Sequence, residues 1–135
     1  MGGVASGQID PQVLEVARRM FDLARFGHTE ELVSYIDRRA PVNLTNEKGD
    51  TLLLLAAYYG QADTVAALLA RGADHSRVND KGQTALAAAV FKQAEEAVRH
   101  LLAAGADPDL GGQSARVTAQ FFELTAMTEL LDVPR

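Results

Sequence analysis

The apolar positions of this chain fall into short clusters separated by polar, glycine-bearing breaks. Leu53, Ala56 and Ala57 lie three and four residues apart, one face of a short helix, and Val65, Leu68 and Leu69 repeat that spacing on a second. Thr51 and Thr84 each open an apolar segment, placed to cap a helix through the side-chain oxygen. Gly72 and Gly105 follow the second helices, where a left-handed residue stops a helix. Asn46-Glu47-Lys48-Gly49 and Asn79-Asp80-Lys81-Gly82 are turn sequences. Near the start, Asp10-Pro11 joins an N-cap to a proline at the first helical position. Val13, Val16, Ala17, Met20, Leu23 and Ala24 then keep helical spacing, so the first helix is expected to run to about Phe26. Beyond Gly111-Gly112, residues 118–124 and 127–131 are expected to form a truncated last helix pair.

These clusters repeat. Gly49-Asp50-Thr51-Leu52-Leu53 is answered by Gly82-Gln83-Thr84-Ala85-Leu86, and Val65, Leu68 and Leu69 by Val98, Leu101 and Leu102. Gly72-Ala73-Asp74 is answered by Gly105-Ala106-Asp107, and every one of these positions shifts by 33. The same shift takes Gly60, Ala57 and Ala73 back to Gly27, Ala24 and Ala40, and takes Gly82, Thr84 and Val98 forward to Ala115, Val117 and Leu131, a decayed copy. Helices of about eight residues do not stand alone in water. They must stack, each unit burying its neighbour's apolar face, as in a solenoid.

The stretches 49–74 and 82–107 resemble ankyrin repeats, whose pattern reads G-x-T-P-L-H-x-A-A…G…V-x-x-L-L-x-x-G-A-D. The resemblance covers about residues 12–133. It implies an all-α solenoid of four stacked helix-turn-helix units, two well formed between two degenerate capping repeats. The expected repeats are approximately 12–45, 46–78, 79–111 and 112–135, in one domain from residue 10 after a disordered leader, residues 1–9. Leu52 and Leu54, and then Ala85 and Ala87, stand where the family has Pro and His, so the junction hydrogen bonds of that His are absent. Gln93 replaces the inter-helix glycine kept at Gly27 and Gly60; a left-handed Gln costs about 1 kcal/mol.

Composition agrees with helices and narrows the chemistry. Ala (23) and Leu (17) dominate the 135 residues, and the aromatic share is 6%. With 13 basic and 18 acidic residues the net charge is −5, which argues against a phosphate-backbone binder. Without cysteine there are no disulfides, thiolate metal sites or cysteine nucleophiles. No apolar run approaches membrane-spanning length, so a cytoplasmic protein is expected, although Gly2 with Ser6 matches a myristoylation pattern. His28, His75 and His100 are spread along the solenoid with no ligand-pair spacing. Asp107–Gly112 imitates the start of a calcium loop but has Gly111 at the fifth position and Thr118 at the twelfth. No serine lies in a nucleophile elbow, no glycine-rich phosphate loop is present, and Glu30-Glu31 and Glu95-Glu96 suit the first turns of second helices. No cofactor, metal or catalytic residue is expected.

What remains is a surface. In the 33-residue register the first helices end at Arg25-Phe26, Tyr58-Tyr59, Phe91-Lys92 and Leu124-Thr125. The ankyrin resemblance implies that these positions line a concave groove, edged by hairpin-tip positions Lys48 and Asp50, Lys81 and Gln83, and Ser114 and Arg116. Aromatic and arginine side chains dominate binding hot spots, and a basic edge suits a partner with an acidic or polar face. Some of these rings could instead plug the helix-turn junctions, but of two adjacent tyrosines at least one should face outward. The expectation is therefore a monomer that binds a protein partner without catalysis. The rival reading is an accessory subunit that senses a small ligand or metal through His28, His75 or the Asp107–Gly112 turn.

Overall fold

The computed structural model describes residues 10–134, in which eight helices form four antiparallel pairs. They are α1 (Pro11–Phe26), α2 (Thr29–Asp37), α3 (Leu52–Tyr58), α4 (Ala62–Ala70), α5 (Ala85–Phe91), α6 (Glu95–Ala103), α7 (Ala115–Phe121) and α8 (Thr125–Leu131). The leader and Gly2 lie outside the described residues. Among these, the only strand-like pairing is an isolated bridge between Thr45 and Thr51.

Each first helix starts on a capping side chain. Asp10 accepts from the Gln12 N–H, Thr51 from Leu54, Thr84 from Ala87 and Ser114 from Val117, at 2.8–3.1 Å. Successive first helices pack side by side (α1 on α3, α3 on α5, α5 on α7), and the second helices form a parallel layer, α2 on α4, α4 on α6, α6 on α8. The two central first helices are buried on every face, Leu52 through Ala57 in α3 and Ala85 through Val90 in α5, because neighbours flank both sides. Their alanines let the backbones approach closely. Val65 and Leu68 of α4 and Val98 and Leu101 of α6 are sealed from solvent beneath them. The buried Thr64 hydroxyl is joined to that of the half-buried Thr29 at 2.7 Å.

The turns follow the register. Gly27, Gly60 and Gln93 hold φ of +73°, +71° and +55° between first and second helices. Gly72 and Gly105 hold +84° and +96° after the second helices, where Arg39 takes the equivalent site in the first unit at +80°. The last unit departs from expectation. Its cap is Ser114, 30 residues after Thr84, and α7 and α8 span Ala115–Phe121 and Thr125–Leu131 in place of the expected 118–124 and 127–131. Three residues are missing from the loop before it: nine separate Asp74 from Thr84, and six separate Asp107 from Ser114. The left-handed turn of this unit falls on Glu123, φ +54°.

Candidate protein-binding groove

The C-terminal ends of the first helices bring four of the eight expected helix-end residues, Tyr58, Tyr59, Phe91 and Lys92, into one contact chain. The Tyr58 ring stacks on Phe91 with centroids 6.2 Å apart and planes 10° from parallel. Tyr59 meets Tyr58 edge-on at 5.2 Å, and the Lys92 ammonium lies 4.7 Å from the centre of the Tyr58 ring, a cation–π contact. Two further rings extend the strip: Phe122 meets Phe91 at 5.4 Å, and Phe121 meets Phe122 at 4.9 Å, both edge-on. Tyr58 is half-buried between its neighbours, whereas Tyr59, Phe91, Phe121 and Phe122 are exposed. Phe26 is 64% exposed and makes none of these ring contacts.

Phe121 and Phe122 were not anticipated from the sequence, and Leu124 and Thr125 do not end a first helix. The fixed 33-residue step overshot by the three deleted residues. Ser114-Ala115, which repeats Thr84-Ala85 at a distance of 30, was the available signal. The same shift relocates Ser114 and Arg116. Neither is a hairpin tip: Ser114 caps α7, and Arg116 sits in the first turn of that helix. The Arg116 guanidinium is held by Asp109 at 2.7 Å and Asp132 at 2.6 Å, and these two carboxylates raise its pKa. Because Asp109 is engaged in this way, one of the two acidic side chains of the Asp107–Gly112 turn is occupied as a helix strap.

Facing the rings are two hairpin tips built alike. Asn46 and Asn79 each accept two backbone N–H bonds across their own turn, from Lys48 and Asp50 and from Lys81 and Gln83, at 2.9–3.0 Å. The Asn79 amide then donates to the Asp50 carboxylate (2.8 Å) and to the Gln83 side-chain oxygen (3.0 Å), and the Asp80 N–H donates to the Lys48 carbonyl. Asp50 and Gln83 are thereby engaged in joining one hairpin to the next, while Lys48 and Lys81 take part in no ion pair among the described residues. Between the tips and the rings lies an open cavity of about 630 Å³, walled by Lys48, Asp50, Tyr58, Tyr59, Lys81 and Phe91. Arg25 reaches this cavity too, with its guanidinium paired to Asp22 at 2.7 Å and its carbonyl accepting from the Gln61 amide.

The histidines do not converge. His28 precedes α2 at its N-cap position, His100 lies on α6, and the His75 ring shares a 3.1 Å hydrogen bond with the Ala104 carbonyl. Among the described residues no three His, Asp or Glu side chains gather as a metal site requires, and no helix is long and apolar enough to cross a membrane.

Stacked, capped helix pairs joined by asparagine-braced hairpins define a helical repeat solenoid. A family model for ankyrin repeats, in three copies, matches residues 20–111, and the chain belongs to the ankyrin-repeat family. It is also similar to the ankyrin repeat protein PA3287 of Pseudomonas aeruginosa, 43% identical over 52 residues. That match takes in 38% of this chain and 30% of the relative, so the chain spans under a third of that protein. Repeats of this family are in general protein–protein interaction modules, and are typically non-catalytic.

Proposed function

We propose that this protein binds a partner protein without catalysis, as a scaffold, inhibitor or regulator, through the groove between the aromatic strip and the hairpin tips. The observation that carries this reading is the continuous chain of five rings, Tyr59, Tyr58, Phe91, Phe122 and Phe121, of which four are exposed. Rings bury large area at low cost in side-chain freedom, and water leaves their faces readily. A soluble protein rarely keeps so contiguous an apolar strip uncovered without use for it. Lys48, Lys81 and Lys92 edge the strip and favour a partner whose rim is acidic or polar, setting orientation and association rate more than affinity. Arg25 and Phe26 extend the surface at one end; Asp50 and Gln83 contribute what hydrogen-bonding capacity Asn79 leaves them. Arg116, tied to Asp109 and Asp132, lies outside the proposed surface.

The test is capture from a source lysate with the immobilised chain, followed by titration of the captured protein against wild type, Tyr59→Ala and Phe122→Ala. A stoichiometric protein bound by wild type and weakened by both variants supports the reading. Binding that both variants leave unchanged removes the groove from it.

A further inference from the structure

A second apolar surface lies at the other end of the array, meeting the groove only at Arg25, Asn46 and Glu47. The first two turns of α1 overhang the stack, and there Val13 is 60% exposed and Leu14 and Val16 more than a third. Beside this overhang a cavity of about 650 Å³ opens between α1 and the first hairpin, lined by Val13, Leu14, Ala17, Phe21 and Leu44, with Arg18 at its edge. Helical geometry sets Leu14, Arg18 and Phe21 on the cleft side of α1, Val13 and Ala17 to one flank, and Glu15 to the other.

The charges on this helix indicate what covers it. Of the five charged residues of α1, Arg19 is bonded to Glu31, and Asp22 is paired with Arg25. Among the described residues, Glu15 and Arg18 take part in no ion pair. One unpaired charge of each sign, three residues apart beside an apolar face, is complementary to itself when the helix direction is reversed. An antiparallel two-fold arrangement crossing between Val16 and Ala17 puts Glu15 of each copy opposite Arg18 of the other, with Leu14 and its apolar neighbours meeting alongside. A partner of uniform charge would leave one of the two unmatched.

We propose that the α1 overhang is an isologous interface between two copies of this chain, in place of the monomer expected from sequence. It leaves the rings from Tyr59 to Phe121 uncovered, so each dimer would present two aromatic strips. Sedimentation equilibrium of the full chain, from micromolar to submillimolar concentration, tests it with charge reversals. The wild type should reach a dimer and stop there. Glu15→Arg and Arg18→Glu should each raise the dissociation constant about tenfold or more, because two attractive pairs become two repulsive ones. The double variant should return it to within about threefold of wild type, a rescue that mere damage to the helix could not give. Circular dichroism melts at dilutions where the wild type is monomeric should barely change, since both residues are exposed. A wild type monomeric throughout the range, which is the outcome if residues 1–9 or a different protein cover the face, overturns the proposal. So do growth past the dimer or failure of the double variant to rescue.

Discussion

Gln93 holds φ +55° at a turn where two other units use glycine, and a side chain in the left-handed region costs about 1 kcal/mol. Gln93→Gly should therefore leave stability unchanged or raise it by up to about 1 kcal/mol, the lost strain being partly offset by a freer unfolded chain. Urea melts decide it, and a clear loss would mean that the Gln side chain contributes a contact worth more than the strain. The site was legible because Gly27 and Gly60 stand at the same register position. Arg39, at φ +80°, lies one repeat before Gly72, but its side chain hides the requirement that the glycine advertises. On the groove, Tyr59→Ala should weaken partner binding by about 2 kcal/mol or more, roughly thirtyfold in Kd, and lower folding stability much less than the 3–5 kcal/mol typical of a buried aromatic. Titration beside a thermal melt separates these outcomes. A large loss of stability with unchanged affinity would move Tyr59 from the surface to the core.

At the level of elements, the third hairpin is the irregular one. The shortened loop brings Gly111 against Gly82, and a Cβ built on Gly111 would lie 2.5 Å from the Gly82 carbonyl oxygen, with φ at +96° besides. Gly111→Ala should cost about 2 kcal/mol or more from backbone strain and the forced separation of the two hairpins. Gly105→Ala, at the same φ but with open space around it, should cost only about 1 kcal/mol. Denaturant melts of the two variants make the comparison, and equal losses would show that the crowding relaxes freely. Helix caps at Asp10, Thr51 and Thr84 and the 33-residue step were readable because cap, apolar face and stop glycine recur together. The deletion after Asp107 was not, because a fixed step carries the register through a gap without complaint. Every residue that the fixed step places beyond it, from Ser114 to Thr125, shifts with that error, and Phe121 and Phe122 fall outside the strip.

Across the whole molecule, stability is spread over contacts between neighbouring pairs, several of them polar ties from one unit to the next. Arg71 reaches Asp37 at 2.9 Å, the Asp74 N–H donates to the Asn43 side chain at 2.8 Å, and His75 bonds the Ala104 carbonyl. Asp74 also accepts from the Ser76 hydroxyl and N–H, and these bonds, with Arg77 nearby, hold its carboxyl below the usual carboxylate value. A carboxyl whose pKa is depressed by folding stabilises the native state above its unfolded value near 3.8 and loses that contribution as pH falls through the lower folded value. Wild type should therefore exceed Asp74→Asn in stability at pH 7, and the gap should narrow below about pH 4. Melts across that range check it. A gap independent of pH would assign the effect to geometry and not to charge.

The missing three residues also give the groove a direction. Two hairpins stand over its first part and carry Lys48 and Lys81, whereas the third is short, bears no lysine and leaves Phe121 76% exposed. A ligand lying along the rings would thus meet a walled end of mixed charge, where Lys48 and Lys81 stand beside Glu47, Asp50 and Asp80, and an unroofed, aromatic one. Two ends that differ in both charge and enclosure discriminate a bound chain's head from its tail, so one polarity of docking is favoured over the reverse before any individual side chain is read. Reversing the order of an acidic and an aromatic half within one synthetic peptide would expose that preference, even with composition held constant.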